Sequence, residues 1–472
     1  VQKLLAIQLL WLLVACDPSQ ADLPDAVATR PNVLLLVIDT LRTDHMSCYG
    51  YSSSTTPALD ALAERGVRFD DCTAGASWTM PSMISLMTGR RLLTTIYRIP
   101  TEHSLITERF AGAGYRTGAF VANSLLSSQA GFDRGVEDWG VRQVSTQKWR
   151  APAVLSRAEA FLTAEDERPF FLWLHFLDTH TPYESKTPAR QRSAREVFDP
   201  AEQAAIERAI ESAPESEREN LRQQVDSLAR EVDRYDAALT ELDAKIGRLL
   251  WSMRQRGQLE NTYVVLVSDH GETLFRRPEH PTRLMTMRAY RDGLGEQLRL
   301  EDYVKKEHDG HVFQELVRTA FVVAGPGIAA GRVVDAMVSN LDVMPTLLGL
   351  SGIAPGVCDG RDLSTQLLGG QPIPDAEWVT SAASNVLSAR LAGGSKLVLP
   401  SSVWQQRWGD QPALYDLATD PDEQSPRPLD AHGEALRRRL EEAAENDVHR
   451  SWDGSRIDGD TLEVLKELGY VR

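Results

Sequence analysis

Cysteine is scarce in this chain, with four in 472 residues at Cys16, Cys48, Cys72 and Cys358. None has the close spacing of a zinc-thiolate site, and beyond Cys16 an odd number remains, which argues against a disulfide framework. Long apolar runs are missing as well: Leu4–Leu13 falls well short of the roughly 20 residues that a spanning helix needs. Positive charge is in deficit. A formal net charge of −16 excludes a general nucleic-acid binder, which needs a basic footprint. An anionic substrate stays allowed, because a bound cation can invert the local field. No internal repeat is present.

What is there begins with residues 1–16, VQKLLAIQLLWLLVAC, where Lys3 precedes the apolar stretch. The pattern resembles a bacterial signal peptide, and Leu13-Val14-Ala15-Cys16 resembles a lipobox. The expectation is an exported lipoprotein, periplasmic or at the cell surface, lipidated at Cys16 and touching the membrane only through that anchor. Residues 17–30 read as a polar tether.

The length fits a large α/β domain with a smaller appendage. Asn32–Ile38 (NVLLLVI) is continuously apolar, as in a strand buried on both faces of a parallel sheet. Phe170–Leu177, Tyr263–Ser268 and Thr319–Ala324 read as further strands, and another follows the Gly114 turn up to Val121. Helices are expected over Pro57–Arg65, from Pro81 to Met87, and over Val225–Leu250, whose apolar residues recur at helical spacing. The alternation predicts a doubly wound, mostly parallel sheet sandwiched by helices over residues 31–370. Two insertions interrupt it, a charged helical excursion over about 184–224 and a basic segment over about 275–306. Residues 371–472 read as a small antiparallel sheet with the helix Ala431–Glu445.

Several segments carry chemistry. In order they are VIDTLRTDHMSCYGY (Val37–Tyr51), TTPALDALAERGVRF (Thr55–Phe69), SWTMPSMISLMTGR (Ser77–Arg90), FLDTHTPY (Phe176–Tyr183) and VSDHGE (Val267–Glu272). HDGHVFQELVRTAFVVAGPG (His308–Gly327), LDVMPTLLGLSG (Leu341–Gly352), LYDLATDPDE (Leu414–Glu423) and LKELGYV (Leu465–Val471) follow. Asp39, His180 and the Asp269-His270 pair each fall at or just past the C-terminal end of an expected strand, the edge at which open α/β sheets bind ligands. Taken together and in this order, the segments resemble the sulfatase family of the alkaline-phosphatase superfamily, in particular a branch reading DTLR in its first motif and WT-x-PS at its nucleophile.

The resemblance implies a metal held by Asp39, Asp269, His270 and Thr79, with Thr79 also the nucleophile. It implies that His180 and His311 contact the ester oxygens or protonate the leaving group. Asp178, His180, His311 and His308 are the set for a second metal or for substrate. Most sulfatases carry, where Thr79 stands, a cysteine or serine that is converted to formylglycine. Threonine is not a substrate for that conversion, so no formylglycine is expected, and an unmodified hydroxyl at a helix start beside a metal is expected to attack. Thr40 stands where many sulfatases carry a second aspartate, Met83 where they carry an arginine, and His311 where many have a lysine. One carboxylate fewer plus an imidazole favours zinc or manganese over calcium. His175 reads as a core or supporting histidine, and Arg42, Asp44, His45 and Arg90 as structural.

The function expected is metal-dependent hydrolysis of sulfate esters, on a small-molecule, glycan or lipid substrate. Hydrolysis of a phosphoester or phosphonate, or phosphoryl-type transfer, stays open, because a threonine ester must be released by water or an acceptor alcohol. A surface binding protein that kept the fold without the activity is the third reading.

Overall fold

In the computed structural model, which describes residues 30–141, 150–198, 200–212, 215–274, 308, 310–402, 405–406, 411–447 and 459, the run Asn32–Ile38 is the central strand β1 of a mixed sheet. Its strands are β2 (Val67–Thr73), β3 (Arg116–Val121), β4 (Asp138–Val141), β5 (Phe170–Phe176), β6 (Thr262–Ser268), β7 (Arg318–Ala324), β8 (Arg332–Val334) and β9 (Val338–Ser339). They lie in the order β4-β3-β5-β1-β6-β7-β2-β8, with β9 also paired to β2. β1 runs parallel to β5 and β6, and β3 parallel to β4 and β5, so their C-terminal ends share one edge. β7 alone reverses, pairing antiparallel with β6 and β2.

The apolar run of β1 is continuous because both its faces are covered. Val33, Leu35 and Val37 join a core with Met83, Ile84, Met87 and Leu347. Leu34, Leu36 and Ile38 face the other way, toward Leu59, Phe161, Leu239, Leu242 and Ile246. Side chains alternate across a strand, so one seven-residue segment serves two cores. Helices Thr79–Thr88, Ile106–Gly112 and Val343–Leu350 form one layer. Helices Pro57–Glu64, Ala151–Thr163 and the inner part of Glu215–Gln255 form the other. This is the doubly wound architecture expected.

Some boundaries shift. The expected break near residue 224 falls inside one continuous helix of 41 residues, Glu215–Gln255. No proline or glycine interrupts the chain there, so the outer turns simply extend the helix that packs on the sheet. The helix expected to open at Pro81 opens at Thr79, so that Thr79 is its first helical residue and Pro81 lies within the first turn. The strands β2, β4, β8 and β9 are additional to those expected; the polar pattern of β2, VRFDDCT, hides it.

The small antiparallel sheet follows the order β10 (Trp378–Ala383), β11 (Val386–Leu391), β12 (Ser395–Pro400) and β13 (Ala413–Asp416). Leu397 and Leu399 of β12 face the helix Ala431–Glu445 through Leu436 and Leu440. Val398, on the opposite face, packs with Val312, Phe313, Leu316 and Val317. The sheet is stitched to the main domain by a parallel bridge between Ala76 and Ala382, with Ser77 N donating to Ala382 O at 3.0 Å. From Pro31 onward the chain forms one compact unit.

The expected signal segment with Cys16, the insertion Phe275–Lys306 and the motif LKELGYV lie outside the described residues. No helix among the described residues is long and apolar enough to cross a membrane.

Candidate active site

The shared edge of the parallel strands gathers the polar residues. β1 ends at Asp39, β6 at Asp269 and His270, and β3 runs out to Asn123, while the helix that follows β2 begins with Thr79. Asp39, Thr79, Asn123, Asp269 and His270 are all fully buried.

A backbone kink turns the chain away from Asp39. Thr40 has φ of 57°, the left-handed region that a β-branched residue rarely occupies. The conformation is held from three sides. Thr40 N donates to Asp269 Oδ1 at 3.4 Å, its hydroxyl donates to Asp39 O at 2.7 Å, and its carbonyl accepts from the Tyr235 hydroxyl at 2.9 Å. The Thr40 side chain is thus committed to the backbone and supplies nothing to the carboxylate cluster, in keeping with the missing second aspartate.

Thr79 Oγ1 donates toward Asp39 Oδ2 at 3.3 Å and lies 3.3 Å from His270 Nε2. His270 Nε2 stands 3.6 Å from Asp39 Oδ1 and 3.4 Å from Asp269 Oδ2. Its other nitrogen, Nδ1, lies 2.8 Å from Gly271 O. A carbonyl only accepts, so Nδ1 carries the proton and Nε2 turns a lone pair to the cluster. Ser82 fixes the helix start in place, its hydroxyl donating to Asp269 O at 2.6 Å and accepting from Asn340 Nδ2 at 3.0 Å.

This donor set fits a divalent cation. Asp39 Oδ1 and Asp269 Oδ2 are buried with no hydrogen-bond partner among the described residues, a costly state for a carboxylate oxygen. One ligand atom from each of Asp39, Asp269 and His270 lies within 4.8 Å of the others. Burial, then the charge of Asp269, raises the Asp39 pKa well above the usual carboxylate range, and burial lifts Asp269 to about 7. Burial also lowers His270. A cation would reverse the two carboxylate shifts and, like burial, keep His270 neutral. Donors that share one ion at about 2.0–2.2 Å stand a little over 3 Å apart, the range of the His270 contacts to Thr79, Asp39 and Asp269.

A second ring of residues adjoins the first. The His308 ring lies 4.5 Å from that of His270 and 4.9 Å from that of His180, and His308 Nδ1 is 3.6 Å from Glu272 Oε1. Burial raises Glu272 to about 7 and lowers His180 to about 3. His180 Nδ1 is 2.7 Å from Thr181 O, so its Nε2 carries a lone pair and is suited to accept a proton or hold a cation. His311 has the opposite tautomer. Phe313 N donates to His311 Nδ1 at 3.2 Å, which leaves the proton on Nε2.

Asp178 turns elsewhere. Both its oxygens accept from Ala151 N, at 3.3 and 3.0 Å. That carboxylate caps the helix Ala151–Thr163, whose own N-cap, Arg150, offers no side-chain oxygen. Asp178 is thus engaged as the cap of that helix. Arg42 is structural as expected. It is buried, and its guanidinium grips Asp44 and the carbonyls of Glu272 and Thr273.

Two site residues escaped the sequence reading. Glu272 sat inside a quoted motif without a role. Asn123 had no motif at all, yet its Nδ2 donates to Asp39 Oδ2 at 3.1 Å and approaches Thr79 Oγ1 at 3.5 Å. His175 completes the floor, its Nε2 lying 3.7 Å from Asp39 Oδ2 and burial holding it neutral, with a pKa of about 3. Asn123→Ala removes the donor that orients Asp39. We expect metal affinity to fall about 10- to 100-fold with the fold intact, as calorimetric metal titration and a melting curve would measure.

Residues 31–353 match the family model described as Sulfatase. Human arylsulfatase A is 29% identical over 405 residues, covering 73% of this chain and 69% of its own. An ulvan-active sulfatase from Formosa agariphila is 26% identical over 384 residues, covering 74% of this chain and 67% of its own. Among solved structures, the phosphonate monoester hydrolase of Agrobacterium radiobacter superposes with a TM-score of 0.63 at 21% identity, covering 88% of this chain and 94% of that one.

Proposed function

Since the chain belongs to the sulfatase family, within the alkaline-phosphatase superfamily, we propose that it is a metal-dependent hydrolase of sulfate esters that uses Thr79, unmodified, as its nucleophile. One observation carries the reading: the Thr79 hydroxyl lies within hydrogen-bond reach of both Asp39 and His270, in a buried cluster built to hold a cation. The two carboxylates, one imidazole and one hydroxyl favour zinc or manganese over calcium. When bound, the ion supplies a lowered hydroxyl pKa and offsets negative charge on the ester oxygens.

This chain's residues do the rest. The Thr79 hydroxyl gives up its proton to Asp39 Oδ2, the acceptor of its hydrogen bond, and attacks sulfur, forming a Thr79 O–S bond as the bond from sulfur to the leaving oxygen breaks. His311 Nε2–H donates a proton to that oxygen. Water then attacks sulfur and the Thr79 O–S bond breaks, releasing sulfate; a neutral imidazole of the site, for which His180 is suited, takes up the proton of the water, and the Thr79 oxygen regains the proton held by Asp39. The dipole of the helix Thr79–Thr88 favours the anion throughout.

The same hydroxyl also suits phosphoryl chemistry, so the test compares three esters. Protein loaded with zinc or manganese is assayed on an aryl sulfate, a phosphate monoester and a phosphate diester. We expect the highest kcat/KM on the aryl sulfate. A phosphate ester cleaved tenfold faster would replace the sulfatase reading with the phosphoesterase one, and no turnover of any ester would leave the surface binding protein.

A further inference from the structure

Phe313 N donates to His311 Nδ1 at 3.2 Å, and Glu315 Oε1 lies 3.8 Å from His311 Nε2. The residues on either side of Phe313 are held by a buried ion pair. Lys396 on β12 lies 2.7 Å from Glu423, and both side chains are essentially sealed from solvent. Lys396 Nζ donates to Val312 O at 2.5 Å, and Glu423 Oε2 accepts from Gln314 N at 2.7 Å. The Phe313 ring meets Tyr415 edge-on at 5.7 Å. The peptide units before and after Phe313 are therefore each clamped by one member of the pair, and the ring in between is seated on the same small sheet. Glu423 itself sits at φ of 53°, a conformation uncommon for a long side chain and kept only where the surroundings over-determine it.

A pair this deeply buried is a weak source of stability, since apolar residues of similar size often replace such pairs without loss. Its use here lies in direction: both charges end on backbone atoms within three residues of His311.

We propose that Lys396 and Glu423 are positioning residues that, by clamping Val312 and Gln314, hold the Phe313 amide against His311 Nδ1 and so keep the proton on Nε2, aimed for the leaving group. The small C-terminal sheet is thereby part of the catalytic machinery. This rests on the reading of His311 as proton donor given above.

A proton donor matters most for a poor leaving group. The test measures kcat on an alkyl ester and on a nitrophenyl ester of whichever acid the protein cleaves, for Lys396→Met/Glu423→Gln, His311→Ala and their combination. The double variant removes both charges while glutamine still accepts from Gln314 N. We expect its kcat on the alkyl ester to fall at least about tenfold and on the nitrophenyl ester less than about threefold, with the same pattern in His311→Ala and no further loss in the combination. Equal losses on both esters, or no loss in a folded double variant, would overturn the proposal. Should the double variant fail to fold, Glu423→Asp serves, because aspartate tolerates the left-handed backbone better but reaches less far. It should show the same leaving-group dependence, and its absence overturns the clasp. If His311→Ala shows no leaving-group dependence, or Thr79→Ala keeps full activity, the failure lies in the reading of the site and not in the clasp.

Discussion

Thr79→Ala abolishes turnover, by at least about a thousandfold in kcat even at saturating metal, because the substitution removes the attacking atom along with one donor to the ion. Thr79 is the first residue of a helix in which every residue is buried, so its side chain has a fixed direction. Deleting one methyl and one hydroxyl there leaves a small void, and the helix stays anchored through Ser82 and the core residues Met83, Ile84 and Met87. Stability should therefore change far less than activity. Thr79→Ser restores the hydroxyl without the methyl that restricts its rotamer, and we expect it to retain activity within about tenfold of wild type. Steady-state kinetics on the best ester, with a melting curve for each variant, measure both effects. Thr79→Ala turning over at the wild-type rate would remove threonine from the mechanism.

The second large effect concerns the metal. Asp269→Asn lowers the affinity for zinc or manganese by more than about a hundredfold, since it removes a direct carboxylate ligand where even an indirect partner contributes 10- to 100-fold. A pH dependence accompanies it. In the metal-free protein the folded-state pKa of Asp269 is raised to about 7 and that of Asp39 is raised as well. The folded state then holds more protons than the unfolded chain between about pH 4 and pH 7, so metal-free stability falls as pH rises through that window. A cation binds the ionised carboxylates and offsets the loss. The rise in melting temperature on adding metal should accordingly be larger at pH 8 than at pH 5. Metal-free Asp269→Asn should melt higher than metal-free wild type at pH 8, although it binds the ion far less well. Scanning calorimetry at the two pH values, with and without metal, decides it. A wild-type melting temperature that ignores metal at both would refute the cation site.

Much of this arrangement is legible in the sequence, and for a definite reason. Asp39 and the Asp269-His270 pair end unbroken apolar runs, and a polar residue at such a boundary marks the strand edge where ligands collect. The double-sided burial of β1 is equally plain in NVLLLVI. What escaped depends on sequence-distant partners. Asn123 sits 84 positions from Asp39, and nothing around it sets it apart from any other asparagine after a strand. Asp178 looks like His180's natural companion, but a helix that starts at Arg150 without a cap of its own claims its carboxylate. The Thr79 helix is legible too: Pro81 is a strong first-turn signal, and the helical turns begin two residues before it, at Thr79. The kink at Thr40 is invisible to local propensity, since it exists only because Asp269, Tyr235 and Asp39 hold it from three directions.

The strand order also governs when the site can come into being. Thr40 and Asp269 touch across 229 positions of chain, and β1 pairs with β6 over its whole length. During synthesis, the segment through β5 already contains Asp39, Thr79 and Asn123, yet lacks both members of the Asp269-His270 pair. Loop closure over so long a distance makes this pairing one of the slow events of folding. The cation therefore cannot template the early stages. A cation held by Asp39, Asp269 and His270 would be captured only after β6 has zipped in beside β1, so its uptake would mark completion of the central sheet.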